Sequence, residues 1–208
     1  MINHFPTSFY SSKEKSLMEN DTALWKEFKN GSELAYASIY KKYITALYNY
    51  GIKIIGDKEI VKDTIQDLFV EIWRNKENLN DTNNIKFYLF KSLRRKIIRS
   101  ISSKRIRLHQ EIDENYSFEV TSSFEANIII EEVKFENKNK IEISLKKLSK
   151  RQREAIFLRF YENLHYDDIA SVMSISSQSV YNLIFQSLRL LKSHIYSIFF
   201  ILNTFHLF

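Results

Sequence analysis

One stretch constrains the fold more than any other: Leu164 to Lys192, LHYDDIASVMSISSQSVYNLIFQSLRLLK. It reads as two helices joined by a tight turn. The spacing predicts a first helix from Tyr166 to Met173, with Asp167 and Asp168 in its first turn, where the helix dipole favours negative charge. Ile169, Ala170 and Met173 share one apolar face. Beyond Ser174 and Ile175, Ser176 is placed to N-cap a second helix, with Ile175 and Val180 set as a hydrophobic staple. Val180, Ile184, Leu188 and Leu191 continue the inner face. Outward lie Gln178, Ser179, Tyr181, Asn182, Gln186 and Arg189, groups able to hydrogen-bond base edges or phosphates. Any helical hairpin can show this periodicity. The short, capped turn and the uncharged polar face, in place of a Lys/Glu mixture, favour a helix-turn-helix whose second helix enters the major groove.

The remaining chain points to an all-α fold. Three Gly and one Pro in 208 residues leave few strand and turn breakers between long segments of helical period. A net charge of +6 implies a polyanionic partner, nucleic acid before membrane. The absence of cysteine excludes disulfide and thiolate chemistry and fits a reducing cytoplasm. The opening MINHFPTSFYSSKEKS lacks the basic and apolar regions of a signal peptide. No Gly-rich nucleotide loop is present, and His4, His109, His165, His194 and His206 lack metal-ligand spacing. The Asp167–Asp168 pair is explained by the helix N-terminus. No catalytic residue, metal or cofactor is expected, and the chain reads as a non-enzyme.

In order, residues 1–20 read as an irregular tail and 21–107 as a helical N-domain. Leu24, Trp25, Phe28, Leu34, Tyr36, Ile39, Tyr40, Tyr43, Leu47 and Tyr50 supply its first apolar positions, with Gly31 breaking two helices apart and Gly51 ending or softening the second. A helix from Lys58 to Arg74 follows, with Ile60, Val61, Ile65, Leu68, Phe69, Ile72 and Trp73 inward and Asp63, Gln66, Asp67 and Glu71 outward. On residues alone that acidic face is solvated surface or a dock for a basic partner. A polar loop leads to KFYLFKSLRRKIIRSISSKRIR, with Phe87, Phe90, Leu93, Ile97 and Ile101 inward. Lys91, Arg94, Arg95, Arg99, Lys104, Arg105 and Arg107 carry positive charge, with no acid among them between Lys86 and Gln110. Their repulsion would be relieved by phosphates. Residues 108–127 are acidic and Ser-rich, a linker signature that could shield the basic helix. A helical C-domain spans 128–195, with Ser149 and Gln152 as a capping box. The apolar tail 196–208 is too short for a membrane span, and it is expected either to extend the last helix or to touch a partner or membrane.

Two stretches, in this order, resemble one family. IVKDTIQDLFVEIW resembles region 2.2 of bacterial RNA polymerase sigma factors, with its D-x-x-Q-[DE]-x-F-x-x-x-W pattern, and LSKRQREAIFLRFYENLHYDDIASVMSISSQSVYNLIFQSLRLLK resembles their region 4. A short chain with only these regions is similar to the extracytoplasmic-function (ECF) group of the sigma-70 family. The resemblance implies that Asp63, Gln66, Asp67 and Phe69 dock the β′ clamp helices of core polymerase, and that Asn80, Asp81, Asn83 and Asn84 capture an unstacked base of the −10 element. It gives Lys91, Arg94, Arg95 and Arg99 to promoter phosphates, and Gln178, Ser179, Tyr181, Asn182, Phe185, Gln186 and Arg189 to reading the −35 element. The polymerase β flap and an anti-sigma factor are the further partners it suggests, with no small-molecule substrate.

Departures from the family pattern carry their own expectations. Arg95 and Arg99 stand where many members show Asn and Asp, and Tyr181, Leu183 and Gln186 where basic residues are common. Weak −35 binding by the isolated C-domain follows. Ser174 replaces a common Gly, which predicts a negative φ there. The rival readings are a stand-alone helix-turn-helix regulator that binds duplex DNA without polymerase, a membrane-associated helical adaptor and, last, a nucleic-acid enzyme. Only the sigma reading gives the acidic face of Asp63, Gln66 and Asp67 a role.

Overall fold

The computed structural model describes residues 12–107, 116–119 and 144–205, and among them every regular element is helical. The order is α1 (Ser12–Lys29), α2 (Glu33–Ile55), α3 (Lys58–Arg74), a 3-10 turn (Lys76–Asn78), α4 (Ile85–Arg107), α5 (Lys150–Phe160), α6 (Tyr166–Met173) and α7 (Ser177–Phe205). Helix α1 starts at Ser12, ahead of the expected Asp21, in a run rich in Lys and Glu that favours helix. The inferred helix from residue 128 lies outside the described residues up to 143, as do residues 1–11, most of the linker and residues 206–208.

Capping residues set the breaks. Gly31 (φ 91°) separates α1 from α2, and the Ser32 side chain accepts from the Ala35 N–H. Gly51, expected to end or soften α2, lies inside it instead; Gly56 (φ 72°) ends it. A Cβ at Gly51 would come within 2.8 Å of Val61 Cγ1, so the residue is there to let α3 approach. Asp57 caps α3 by accepting from the Glu59 and Ile60 N–H groups.

Trp25, Phe28, Ile39, Leu47, Leu68, Phe69, Leu89 and Leu93 fill the core of the α1–α4 domain. Leu34 and Tyr40, expected to join it, are exposed, Leu34 at 82%. Asp21 is a buried polar tie: it accepts from the Tyr43 hydroxyl, Lys42 Nζ and the Ile85 N–H, joining α1, α2 and the start of α4. Burial, then the Asp21 charge, pushes the Tyr43 hydroxyl pKa up.

The C-domain packs α5, α6 and α7 around Leu158, Leu164, Ile169, Met173, Val180 and Ile184. Both halves of the expected Ser149–Gln152 capping box are present. Leu188, assigned inward, is 45% exposed, and Ser187 takes its place with its hydroxyl donating to the Leu183 carbonyl. Three residues beyond Ile184 return to the buried side here, where four do not. The backbone of α7 runs on to Phe205.

Candidate nucleic-acid interface

The helix-turn-helix is built as its residues require. Ser174, expected at negative φ, is left-handed (φ 57°, ψ 46°). Its N–H and that of Ile175 both reach the Ala170 carbonyl, a 5→1 bond of the αL type with a 6→1 bond beside it, and that bonding offsets the roughly 1–2 kcal/mol a non-Gly residue pays in this region. Ser176 caps α7, its Oγ accepting from the Ser179 N–H at 3.1 Å. The Ser177 hydroxyl donates to Asp167 across the turn, fixing α6 against α7.

Of the seven residues assigned to −35 reading, Gln178, Tyr181, Asn182, Phe185, Gln186 and Arg189 are exposed on α7. Gln178 Nε2 donates to Asn182 Oδ1 at 3.2 Å, one turn apart. Tyr181 stacks on Tyr166 with centroids 4.1 Å apart, and Phe185 is 68% exposed. Ser179 differs: half-buried, it is tied to Ser176 through both its N–H and its hydroxyl.

On the N-domain, Asp63, Gln66 and Asp67 form an exposed row on α3, whereas Phe69 is buried against Tyr36 and Tyr40 and supports that row from beneath. A cleft of about 560 Å³ lies beside it, lined in part by Tyr40, Tyr48, Gln66 and Val70. Glu71 pairs with Lys96 of α4, and that hydrogen bond holds its carboxyl pKa down.

The loop before α4 places its four polar residues differently. Asn80, Asp81 and Asn83 are exposed; Asp81 pairs with Lys29 at 2.6 Å, and the Asn80 carbonyl accepts from Trp25 Nε1. Asn84 is engaged at both ends. Its Oδ1 caps α4 by accepting from the Phe87 N–H, and its Nδ2 donates 3.0 Å to Asp168 of α6. Burial, with Asp167 next to it, raises the Asp168 pKa.

The four α4 cations assigned to promoter phosphates split into two sets. Lys91, Arg95 and Arg99 recur every fourth residue and are exposed. Arg94 faces the C-domain, and its side chain is only 13% exposed. Its Nε donates 2.8 Å to Glu154, which is fully buried and also accepts from the Tyr50 and Tyr116 hydroxyls. Burial works against the Arg94 charge, but the Glu154 carboxylate outweighs it and raises the guanidinium pKa. Burial and then Glu154 push the Tyr50 and Tyr116 hydroxyls up. Lys104, Arg105 and Arg107 fall where side chains are outside the description.

This seam was not foreseen in the sequence. Tyr116 and Phe118 lie in the acidic stretch read as linker, yet both are buried. Phe118 packs against Tyr50 and Phe157, and the backbone of the segment is tied to α2 by the Glu119 N–H to the Lys53 carbonyl. The one available signal was an aromatic pair, Tyr-Ser-Phe, inside a polar run. Among the described residues no group of three acids or histidines could hold a metal, and no helix is long and apolar enough to cross a membrane.

Comparison with known proteins bears on both halves. A family model for sigma-70 region 2 matches residues 39–106, and one for sigma-70, region 4 matches residues 139–191, together more than half of the chain. Among solved structures, the chain is similar to CnrH in complex with the cytosolic domain of CnrY (TM-score 0.53, 17% identity, 85% of this chain and 97% of that one). It is also similar to the sigma factor RpoE in complex with the anti-sigma factor NepR from Bartonella quintana (TM-score 0.56, 17% identity, 77% of this chain and 96% of that one). At these identities the likeness is one of fold. No curated protein sequence matches significantly.

Proposed function

We propose that this chain, which belongs to the sigma-70 family and has the region 2 and region 4 make-up of its ECF group, is a dissociable initiation subunit of bacterial RNA polymerase. The family comprises initiation factors, not enzymes. The reading is carried by the exposed acidic row Asp63, Gln66 and Asp67 on α3, in a chain of net charge +6. Such a row is misplaced for DNA and suits a basic protein partner, here the clamp helices of core polymerase. Region 4, with the outward face of α7 in the major groove, would anchor the −35 element and meet the β flap. Lys91, Arg95 and Arg99 would run along promoter phosphates, and the Asn80–Asn84 loop would hold an extruded −10 base. Strand opening then follows from differential binding: bases held only when flipped shift the equilibrium toward the melted state. The work is cytoplasmic, and an anti-sigma factor is the expected antagonist, in keeping with the anti-sigma complex in which one of the similar folds was solved.

Gel filtration with bacterial core polymerase tests this directly. Wild type should co-elute, and Asp67→Arg should not, since a like-charge contact costs several kcal/mol. A wild-type chain that never co-elutes but binds duplex DNA would sink this reading in favour of a stand-alone regulator.

A further inference from the structure

No charged side chain occurs between Asp168 and Arg189, a stretch that holds the turn and the start of α7. Helix-turn-helix proteins touch base edges with the N-terminal residues of the second helix. On the exposed face those residues are Gln178, Tyr181, Asn182, Phe185 and Gln186. Arg189 stands about 18 Å along the helix from Ser177, which places it for a phosphate and not for bases. The base-facing part therefore lacks the arginine or lysine that commonly reads guanine, and the carboxylate that accepts from the cytosine amino group. What it offers is amide and ring. Gln178 Nε2 donates to Asn182 Oδ1 at 3.2 Å, leaving Asn182 Nδ2 and a second lone pair on Oδ1 for the N7 acceptor and N6 donor of adenine. Tyr181 stacks on Tyr166 with centroids 4.1 Å apart, and the Arg159 guanidinium lies 5.1 Å from the centre of that same Tyr166 ring. The stack holds Tyr181 in place before any ligand arrives. Phe185, one turn further on, is 68% exposed, so its ring meets water in the free protein.

We infer that α7 selects A·T base pairs in the −35 element, with Asn182 on adenine and with Tyr181 and Phe185 on thymine methyl groups. The inference rests on the reading above, which lays this face in the −35 major groove. Thymine alone among the four bases presents an apolar group in that groove, and an aromatic ring sheds water on meeting it. Against guanine or cytosine the Phe185 ring would cover polar base edges without hydrogen-bonding them, which costs free energy at each edge stripped of water. Rejection of G·C pairs thus comes from what the rings cannot satisfy, beside what they gain from thymine. Tyr166 is a positioning residue: it carries Tyr181 by stacking and need not touch DNA. Arg189 supplies the hold on phosphate, so base choice and charge are borne by different turns of the helix.

The test uses holoenzyme, core polymerase with the full-length chain, on a double-stranded DNA library randomised over the −10 and −35 blocks. Bound DNA should be enriched in A·T pairs in the −35 block. The best-bound sequence is then remade with uracil for thymine across that block, which deletes the methyl groups and keeps every hydrogen bond. Wild type should lose about fourfold in affinity per contacted methyl, the worth of one buried CH2 group. Phe185→Ala, a change at an exposed position that leaves the core intact, should lose one such factor from the thymine-to-uracil ratio. Replacing N7 of the adenines by carbon should weaken wild type but not Asn182→Ala. Enrichment of G·C pairs, equal binding of the thymine and uracil forms, or an undiminished ratio in Phe185→Ala would each overturn the inference. So would a library bound without preference, the result expected if the rings dock a protein instead. Failure to co-elute with core polymerase would count against the sigma reading, and the same library given to the chain alone would still decide the base preference.

Discussion

The helix-turn-helix and the seam between the domains are held by opposite means. In the hairpin the decisive contacts are local: Ser176 caps α7 three residues on, Ser177 reaches back ten to Asp167, and Ala170 receives the N–H groups of the turn. In the seam, Glu154 meets Tyr50, Arg94 and Tyr116 across 104, 60 and 38 positions. Local caps are each worth about 1 kcal/mol and sit in contact with water. The seam gathers one charge pair and two hydroxyls where water is excluded, so losing any member strands the others. The difference teaches that a recognition hairpin can leave the seam intact as a unit, whereas the seam holds as a whole or lets go.

The most severe way to sharpen this contrast is Glu154→Leu. It leaves the Arg94 guanidinium without its countercharge at a largely buried site, a loss of about 3–5 kcal/mol for a broken buried pair. A urea titration should show an earlier first transition while the helical circular dichroism of the hairpin persists; a single shifted transition would erase the contrast. Alkali should act on the same side. The raised Tyr50 and Tyr116 pKa values mean that their contribution is complete below the unfolded value of about 10 and is lost as pH rises through the docked values. Scattering followed against tyrosinate absorbance should therefore show the domains parting as these two rings ionise, with α6 and α7 still folded. A seam indifferent to strong alkali would break that account. Smallest are the hairpin changes: Ser176→Ala should lower stability by about 1 kcal/mol, and Ser174→Gly should raise it by less than about 1 kcal/mol. Both are read as shifts in melting temperature, and hydrogen exchange at the seam should stay as in wild type.

What could be read from the sequence follows the same division. The bounds of α3 and α6, the Ser149–Gln152 capping box and the Ser176 cap obey rules that act over a few residues, and they stand where the pattern put them. Ser174 and Leu188 failed locally for a different reason: a side-chain type states a preference, and the two bonds to the Ala170 carbonyl and the turn of the helix at Ser187 overrode it. Glu154 gave no sign, since an acid in a helix of Lys and Arg looks like surface until its partners are known. Asn84 and Arg94 were picked out by charge and position, but nothing near them in sequence could say that Asp168 and Glu154 already hold them. Polar partners that meet only after the chain has folded leave no periodicity behind.

Gly51 shows how far such a consequence can travel. At this point α2 and α3 approach so closely that even a methyl group would collide with Val61. The far side of α3 carries Asp63, Gln66 and Asp67, so their distance from the rest of the domain is set from behind, at a residue that touches no partner. A side chain at Gly51 would act as a wedge, turning the row off its aim while leaving each of its groups chemically intact. The resulting defect in binding would be one of alignment.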